Sequence, residues 1–144
     1  MQKSGVTLKY AEPSSARTAP PGWRLYEFKG DDLDNTIHLA SKSAFLIGRD
    51  DRVCELPMLH PSISSQHAVI QFRQVERKNR FDESGAPLRQ VVPAILDLKS
   101  TNGTFLNGQK IQDSIYIELK PQDVLKFGES TREYVVINAT DTKA

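Results

Sequence analysis

Short apolar and β-branched runs separated by turn residues dominate the chain from Trp23 onward. In several runs apolar and polar side chains roughly alternate, as over residues 70–75 and 124–127. A period of two is typical of half-buried antiparallel strands, and no segment carries a sustained helical stripe. Runs this short and closely spaced predict an all-β sandwich or barrel of about eleven short strands. The predicted strands cover residues 23–28, 36–40, 44–48, 54–56, 68–76, 91–98, 104–106, 109–111, 116–119, 124–127 and 134–139.

The first 22 residues differ from the rest of the chain. They contain three prolines and few large apolar side chains, so on their own they bury too little surface to offset chain entropy. We expect residues 1–22 to form an extended or disordered arm, either a plain linker or a partner-binding segment anchored by Leu8 and Tyr10. The predicted domain covers residues 23–139, and residues 140–144 form a C-terminal tail.

Two connections can be predicted from their turn residues. Asn107-Gly108 separates two short β-type runs, and both central positions of a type I′ turn need positive φ, so a tight hairpin is expected there. Residues 77–90 are charged and rich in turn formers, which favours a long solvated loop between two core strands.

Composition limits the classes of function. Lys and Arg number 19 against 18 Asp and Glu, so no overall field attracts the chain to nucleic acid or an acidic membrane. The single Cys54 excludes an internal disulfide and suits a reducing compartment, and the three histidines show no zinc spacing. No apolar stretch approaches the roughly 20 residues of a membrane span, and no signal peptide opens the chain. We expect an intracellular protein without a metal or cofactor.

Three separated turns carry residues suited to a phosphate group. Arg49 offers a planar fork of donors, and Gly48 before it frees the backbone to turn. Ser64 and Thr101 add hydroxyl donors. Contacts of this kind to a phosphate monoester, which carries about −1.5 to −2 charge, predict reversible binding near the micromolar range. A catalytic base for phosphoryl transfer is missing from the pattern.

The same turns resemble the motifs of the forkhead-associated (FHA) domain, a β-sandwich module that binds phosphothreonine peptides. The resemblance covers roughly residues 23–139. The matching motifs are Gly48-Arg49, Ser64-Ser65-Gln66-His67, Ser100-Thr101-Asn102-Gly103-Thr104 and Asn107-Gly108.

The resemblance implies a role for each matching side chain. It makes Arg49, Ser64 and Thr101 the phosphate ligands, and Ser65 and Asn102 the residues that grip the peptide backbone. Loop scaffolding would fall to Gly48, His67, Gly103 and Asn107.

Lys99 departs from the family pattern, which often has a small residue, commonly Gly, at this position. It would either strain the turn, if positive φ is required there, or supply a second cation to the phosphate. We favour the extra phosphate contact.

A narrower resemblance is to the pre-mRNA leakage protein family, known in animals as Smad nuclear-interacting protein. It rests on segments such as Lys9-Tyr10-Ala11-Glu12-Pro13, Trp23-Arg24-Leu25-Tyr26-Glu27-Phe28-Lys29 and Asp123-Val124-Leu125-Lys126-Phe127-Gly128. The family belongs to the RES (retention and splicing) complex of the spliceosome. The resemblance implies a nuclear adaptor whose arm binds an RNA-recognition-motif subunit and whose Arg49 face reads a phosphothreonine on a splicing protein. Since relatives carry longer N-terminal regions, the chain is either a fragment or a short form.

Three alternatives remain open at this point. An FHA adaptor of another nuclear signalling pathway would have the same motifs. Ser64, His67 and Asp97 supply the residue types of a hydrolase triad, but no Gly-x-Ser-x-Gly elbow surrounds the serine, so we do not expect an enzyme. A basic cluster around residues 73–80, with Phe72 and Phe81, would suit RNA, but Asp82 and Glu83 follow directly and favour a solvated loop.

Overall fold

The computed structural model describes residues 1–140, so of the predicted tail, residues 140–144, all but Thr140 lies outside the described residues. Within residues 1–140 every regular element is a strand, and no helix long and apolar enough to cross a membrane occurs. The strands are β1 (Gln2–Lys3), β2 (Val6–Thr7), β3 (Trp23–Lys29), β4 (Asp32–His38), β5 (Ala44–Gly48), β6 (Leu56–Pro57), β7 (Ala68–Phe81), β8 (Pro87–Asp97), β9 (Thr104–Leu106), β10 (Gln109–Lys110), β11 (Ile117–Glu118), β12 (Val124–Phe127) and β13 (Glu133–Asn138).

Two sheets form the body of the molecule. One has six strands in the order β10-β9-β12-β13-β3-β4, and the other has five in the order β11-β8-β7-β5-β6. All neighbours are antiparallel except β5 and β6. The prediction of an all-β sandwich is confirmed.

The core lies between the two sheets. Leu25, Leu125 and Phe127 from the six-stranded sheet and Ile70 and Phe72 from the five-stranded sheet are fully buried in one cluster. In β12 the buried residues alternate with half-buried ones, as the period of two predicts. Each such side chain contributes roughly 1.5 to 3 kcal/mol by leaving water, so this interior fixes where the loops at the sheet ends lie.

The outer face of the five-stranded sheet is covered by residues 1–19. Val6, Leu8 and Tyr10 pack against a second apolar cluster that includes Val69 and Leu96. Backbone hydrogen bonds also join Arg17 N–H to the Phe72 carbonyl and Ala19 N–H to the Lys42 carbonyl. The arm therefore lies packed along the sheet, with its first residues paired as the β1–β2 hairpin, and its binding of a partner stays a prediction.

Polar contacts fasten the arm as well. Gln66 bonds both the backbone N–H of Lys9, at 2.9 Å, and the Thr7 carbonyl, at 2.9 Å. The Tyr10 hydroxyl lies 2.6 Å from Gln71 Oε1 and 2.6 Å from the Tyr116 hydroxyl. Burial is the main cause that raises the pKa of Tyr10 far above its usual value. Leu8 and Tyr10, the predicted anchors for a partner, are therefore already packed on the chain's own sheet.

The expectation of a loop over residues 77–90 is wrong. β7 and β8 continue as a ribbon with a short turn, in which the Asp82 carboxylate accepts the backbone N–H groups of Ser84 and Ala86. Arg77 pairs with Glu118 at 2.8 Å at its base. Residues 78–87 are all exposed, so the ribbon has no buried face and hence no apolar alternation in its sequence.

The prediction for Asn107-Gly108 is confirmed. These residues join β9 to β10 with φ of 51° and 85°, the pair of positive values that a type I′ hairpin needs.

Candidate functional site

Three loops meet at one end of the sandwich. The first follows β5 at Arg49, the second covers residues 58–67, and the third, residues 98–103, is named the Thr101 loop. Arg49 N–H donates to the Ser64 carbonyl at 3.0 Å, and Thr101 N–H donates to Ser64 Oγ at 3.1 Å. The structure thus brings Arg49, Ser64 and Thr101 together, although up to 52 positions separate them in the sequence.

Arg49 is an exposed cation at the end of β5. Its Nε–H donates to the Ile63 carbonyl at 2.9 Å, which orients the guanidinium and leaves both terminal NH₂ groups for another acceptor. The neighbouring Asp50 is bound by Arg52, which lowers the pKa of that carboxyl. Within residues 1–140 no carboxylate forms an ion pair with Arg49. An uncompensated guanidinium of this kind suits an anionic ligand.

Gly48 is needed for close packing rather than for a turn. Its φ is not in the left-handed region, which corrects the expectation that it frees the backbone. A Cβ at position 48 would overlap the Ser65 carbonyl group and lie 3.0 Å from the Ser64 carbonyl oxygen. The absence of a side chain lets β5 approach the loop that carries Ser64.

His67 connects two of the three loops from below. It is fully buried, its Nδ1 accepts the Ser64 N–H at 3.1 Å, and its Nε2 lies 2.8 Å from the Gly103 carbonyl. A carbonyl only accepts, so Nε2 carries the proton and the ring is the neutral tautomer. Burial lowers the pKa of His67 and favours this neutral form.

Ser64 keeps a free donor in this arrangement. Its Oγ accepts the Thr101 N–H, so its hydroxyl proton remains for an external acceptor. Thr101 is exposed, and Asn102 donates from Nδ2 to the Ser62 carbonyl at 2.9 Å, leaving its second amide N–H and its carbonyl oxygen. The second and third loops therefore carry unused hydrogen-bond donors on either side of the Ser64–Thr101 contact.

The remaining predicted residues lie as follows. Lys99 is exposed with φ of 56°, a conformation that costs a residue with a Cβ about 1 kcal/mol, and its contact with a phosphate stays a prediction. Gly103 has φ of 87°. Ser65 is exposed.

Asn107 lies in the β9–β10 hairpin. Its side chain donates to Asp123 and accepts the Val124 N–H, so Asn107 ties this hairpin to β12. No hydrogen bond within residues 1–140 joins Asn107 to the three loops.

The residues of the hydrolase alternative do not form a triad. His67 Nδ1 accepts a backbone N–H of Ser64, whereas the Ser64 hydroxyl oxygen bonds Thr101. Asp97 Oδ1 lies 4.0 Å from His67 Nε2, whose proton goes to Gly103. A nucleophile bonded to its base is therefore missing from these three residues.

Half of the basic cluster of the nucleic-acid alternative is engaged within the protein. Arg73 lies over the Tyr116 ring, 4.8 Å from its centroid, and Arg77 binds Glu118. Two of its four cations are thus already partnered, which weakens this alternative.

Ser62 is a site residue that sequence reasoning missed. Its hydroxyl lies 2.8 Å from His60 Nδ1 and accepts the Glu129 N–H at 2.7 Å, and its carbonyl holds Asn102. Gly128, with φ of 57°, packs so closely that a Cβ would come within 2.8 Å of the Ser62 carbonyl oxygen. The glycine that directly follows β12 was the available sequence signal. Ser62 thus joins the loop of residues 58–67 to the segment that follows β12.

Comparison with known sequences gives a family match and a related protein. A sequence model of the FHA domain matches residues 45–128. The chain is 49% identical over 139 residues to Smad nuclear-interacting protein 1 of Mus musculus, covering 96% of this chain and 36% of that protein. It therefore spans about a third of the length of this curated relative.

Solved structures are similar as well. Yeast Pml1, a splicing factor described with its integration into the RES complex, has a TM-score of 0.71 and 26% identity over 92% of this chain and 98% of that one. The MEK1 FHA domain in complex with a phosphothreonine peptide of HOP1 has a TM-score of 0.56 and 27% identity, covering 81% of this chain and 96% of that one.

Proposed function

The chain belongs to the FHA domain family, and from that premise we propose that it is a phosphothreonine-peptide-binding adaptor of pre-mRNA splicing. One observation supports the binding half of the proposal: Arg49, which pairs with no carboxylate within residues 1–140, is bonded to the carbonyls of Ile63 and Ser64, and the Ser64 hydroxyl in turn accepts the Thr101 N–H. The complex of the MEK1 FHA domain with a phosphothreonine peptide supports the ligand class. No cofactor and no reaction enter the proposal.

The proposed contacts to the phosphate use the hydrogen-bond donors of the three loops that have no partner within residues 1–140. The terminal NH₂ groups of Arg49 bind two phosphate oxygens, and the hydroxyls of Ser64 and Thr101 donate to the others. Lys99 adds a further cation. Such contacts to a charged group contribute roughly 1.5 to 3 kcal/mol each, against the cost of ordering a flexible peptide, which gives an affinity near the micromolar range.

Two more residues would hold the peptide backbone. Asn102 is fixed through the Ser62 carbonyl, and its free amide atoms would pair with the peptide on one side of the phosphothreonine. Ser65 is exposed beside Ser64 and would contact the peptide on the other side. Because these contacts go to backbone groups, they give affinity without selecting a sequence.

The binding proposal is tested by fluorescence anisotropy with a degenerate phosphothreonine peptide pool and its unphosphorylated copy. We expect Arg49→Ala to abolish the preference for the phosphorylated pool while the fold remains intact. Arg52→Ala is the matched control, because Arg52 is an exposed arginine three residues away that is bound to Asp50. Equal affinity of the unmodified chain for both pools would contradict the proposal.

The proposed role in splicing is supported by the similarity of the chain to two known proteins. Smad nuclear-interacting protein 1 and yeast Pml1 are similar over the sandwich and at least part of the arm, since both alignments cover more than nine tenths of the chain. We therefore assign the chain to the nucleus, as the FHA subunit of a RES complex, with other spliceosomal proteins as the source of the phosphothreonine.

In that complex the arm would bind the RNA-recognition-motif subunit. Because Leu8 and Tyr10 face the chain's own sheet, a partner meets either the exposed side of the docked arm or an arm that has been released. A pull-down separates the two: Lys9→Glu changes an exposed arm residue, whereas Tyr10→Phe removes the hydroxyl that holds the arm. Full recovery of the subunit by a chain lacking residues 1–22 would refute the role of the arm.

A further inference from the structure

The Asp97 carboxylate lies beneath the Thr101 loop and has no role in the contacts proposed above. Asp97 is the last residue of β8 and is only 3% exposed. Its Oδ1 accepts hydrogen bonds from the Ser100 hydroxyl at 2.7 Å and the Thr104 hydroxyl at 2.7 Å. Its Oδ2 accepts the Ser100 N–H at 3.0 Å. One buried group thus holds the chain on both sides of Thr101.

The Ser100 hydroxyl connects Asp97 to the far side of the loop, at Gly103. While it donates to Asp97, its oxygen accepts the Gly103 N–H at 3.0 Å. Lys99 and Gly103 both have positive φ, so the loop has a shape that a free segment with a lysine at this position rarely adopts. Hydrogen bonds to an ionised acceptor are roughly twice as strong as neutral ones, which makes the carboxylate an effective anchor.

The anchored loop carries the groups that face the ligand. With the backbone of Ser100 to Gly103 in this course, Thr101 N–H reaches Ser64 Oγ and the Asn102 side chain reaches the Ser62 carbonyl. We propose that Asp97 is a positioning residue for phosphothreonine recognition, because its carboxylate sets the shape in which the loop presents Thr101 and Asn102 beside Ser64. The inference rests on the proposed function.

An amide cannot replace the carboxylate at this position. Three donors converge on Asp97, and an ionised carboxylate is the side chain that only accepts. In Asp97→Asn the NH₂ group would face either the Ser100 N–H or the two hydroxyls. In the first arrangement the amide NH₂ and the Ser100 N–H are two donors facing each other. In the second, the hydroxyls of Ser100 and Thr104 face the NH₂ group and can no longer donate to residue 97, so the hydrogen bond from the Ser100 hydroxyl is lost.

The test compares four variants of residues 1–144, using the phosphothreonine pool and its unphosphorylated copy. Asp97→Asn and Thr104→Val remove the anchor and one of its donors, and Thr104→Ser keeps that hydroxyl. Gln71→Leu is the control for general destabilisation, since Gln71 is fully buried and hydrogen-bonded in β7, away from the loop. Amide hydrogen exchange of Thr101 and of core residues in β7 and β8 is measured alongside.

We expect Asp97→Asn to weaken binding to the phosphorylated pool about tenfold or more, as loss of a charged hydrogen bond implies. Thr104→Val should weaken it less, and Thr104→Ser and Gln71→Leu should bind like the unmodified chain. Thr101 should exchange faster in the first two variants while the core does not. If Asp97→Asn does not fold, the difference in affinity between Thr104→Val and Thr104→Ser tests the proposal instead.

Two results would overturn the inference in different ways. If the unmodified chain prefers the phosphorylated pool but Asp97→Asn or Thr104→Val retains its affinity, the positioning role is wrong and the proposed function stands. If the unmodified chain shows no preference for phosphate, both are wrong.

Discussion

The Ser64 hydroxyl oxygen accepts a hydrogen bond from the backbone N–H of Thr101, 37 positions further along the chain. This bond joins the second and third loops at the surface, while His67 joins the same loops from within through Ser64 N–H and the Gly103 carbonyl. The relative position of the two loops is thus fixed twice, once at the ligand side and once in the core.

Replacing Ser64 by alanine should weaken binding to phosphothreonine peptides by at least tenfold. The substitution removes a hydroxyl donor to the phosphate and leaves the Thr101 N–H without its acceptor, and the free energy of unfolding should fall by only about 0.5 to 1.5 kcal/mol. Peptide titration and urea unfolding measure the two effects. Ser84→Ala, in the turn of the exposed ribbon, should change neither. Unchanged affinity in Ser64→Ala would remove Ser64 from the site.

The stability of the chain should depend on pH through His67. Because burial lowers the pKa of His67 in the folded chain, the unfolded chain binds the proton more readily once the pH falls below the ordinary imidazole value of 6.5. The contribution of His67 to the free energy of unfolding should therefore be level above pH 6.5 and decrease as the pH falls below it.

Urea unfolding without ligand, at a series of pH values, measures this dependence. His38 and His60 are exposed, so the double variant His38→Gln, His60→Gln should show the same decrease. A decrease that disappears in the double variant would assign the effect to the surface histidines instead.

Gly48→Ala should destabilise the chain by about 2 kcal/mol or more and weaken peptide binding, because the added methyl group forces β5 away from the Ser65 carbonyl. Gly85→Ala is the comparison, since a Cβ there meets nothing within 4 Å and only its φ of 86° causes strain. Thermal unfolding of both variants measures the difference. Equal losses would show that the close approach at position 48 relaxes without cost.

Deleting residues 1–22 should expose the outer face of the five-stranded sheet without affecting phosphopeptide affinity. Cys54 reports this change, since it is the sole cysteine and belongs to the apolar cluster that the arm covers. Burial raises the pKa of its thiol to about 11, so labelling by a thiol reagent at neutral pH should be slow in the intact chain. Labelling should be faster in the deletion and in Leu8→Ala, but not in Lys9→Ala. Equal labelling rates in all four proteins would contradict the packing of the arm.

Much of the sandwich could be predicted from local pattern. The strands at residues 44–48, 104–106 and 124–127 have the predicted bounds, because turn residues flank each apolar run. The ribbon was missed since both its faces are in water. The packing of the arm was missed although Val6, Leu8 and Tyr10 alternate with polar residues, because the prolines that follow indicate an unstructured segment.

The site shows the same limit. Arg49, Ser64 and Thr101 could be singled out by residue type and motif, and their roles stay predictions. The contacts around Asp97 and Ser62 could not be predicted, because they depend on how loops distant in sequence meet once the sheets have formed. A buried carboxylate that accepts three hydrogen bonds gives no signal in composition or periodicity.

The pairing of β3 with β13 has a consequence for synthesis on the ribosome. β13 lies between β3 and β12, so Trp23 and Leu25 pair with a strand that ends more than one hundred residues later in the chain. Contacts so distant in sequence make folding slow relative to local structure. The segments that carry the three loops are therefore synthesised before the six-stranded sheet can close, and the sandwich is complete only after Asn138 has left the exit tunnel.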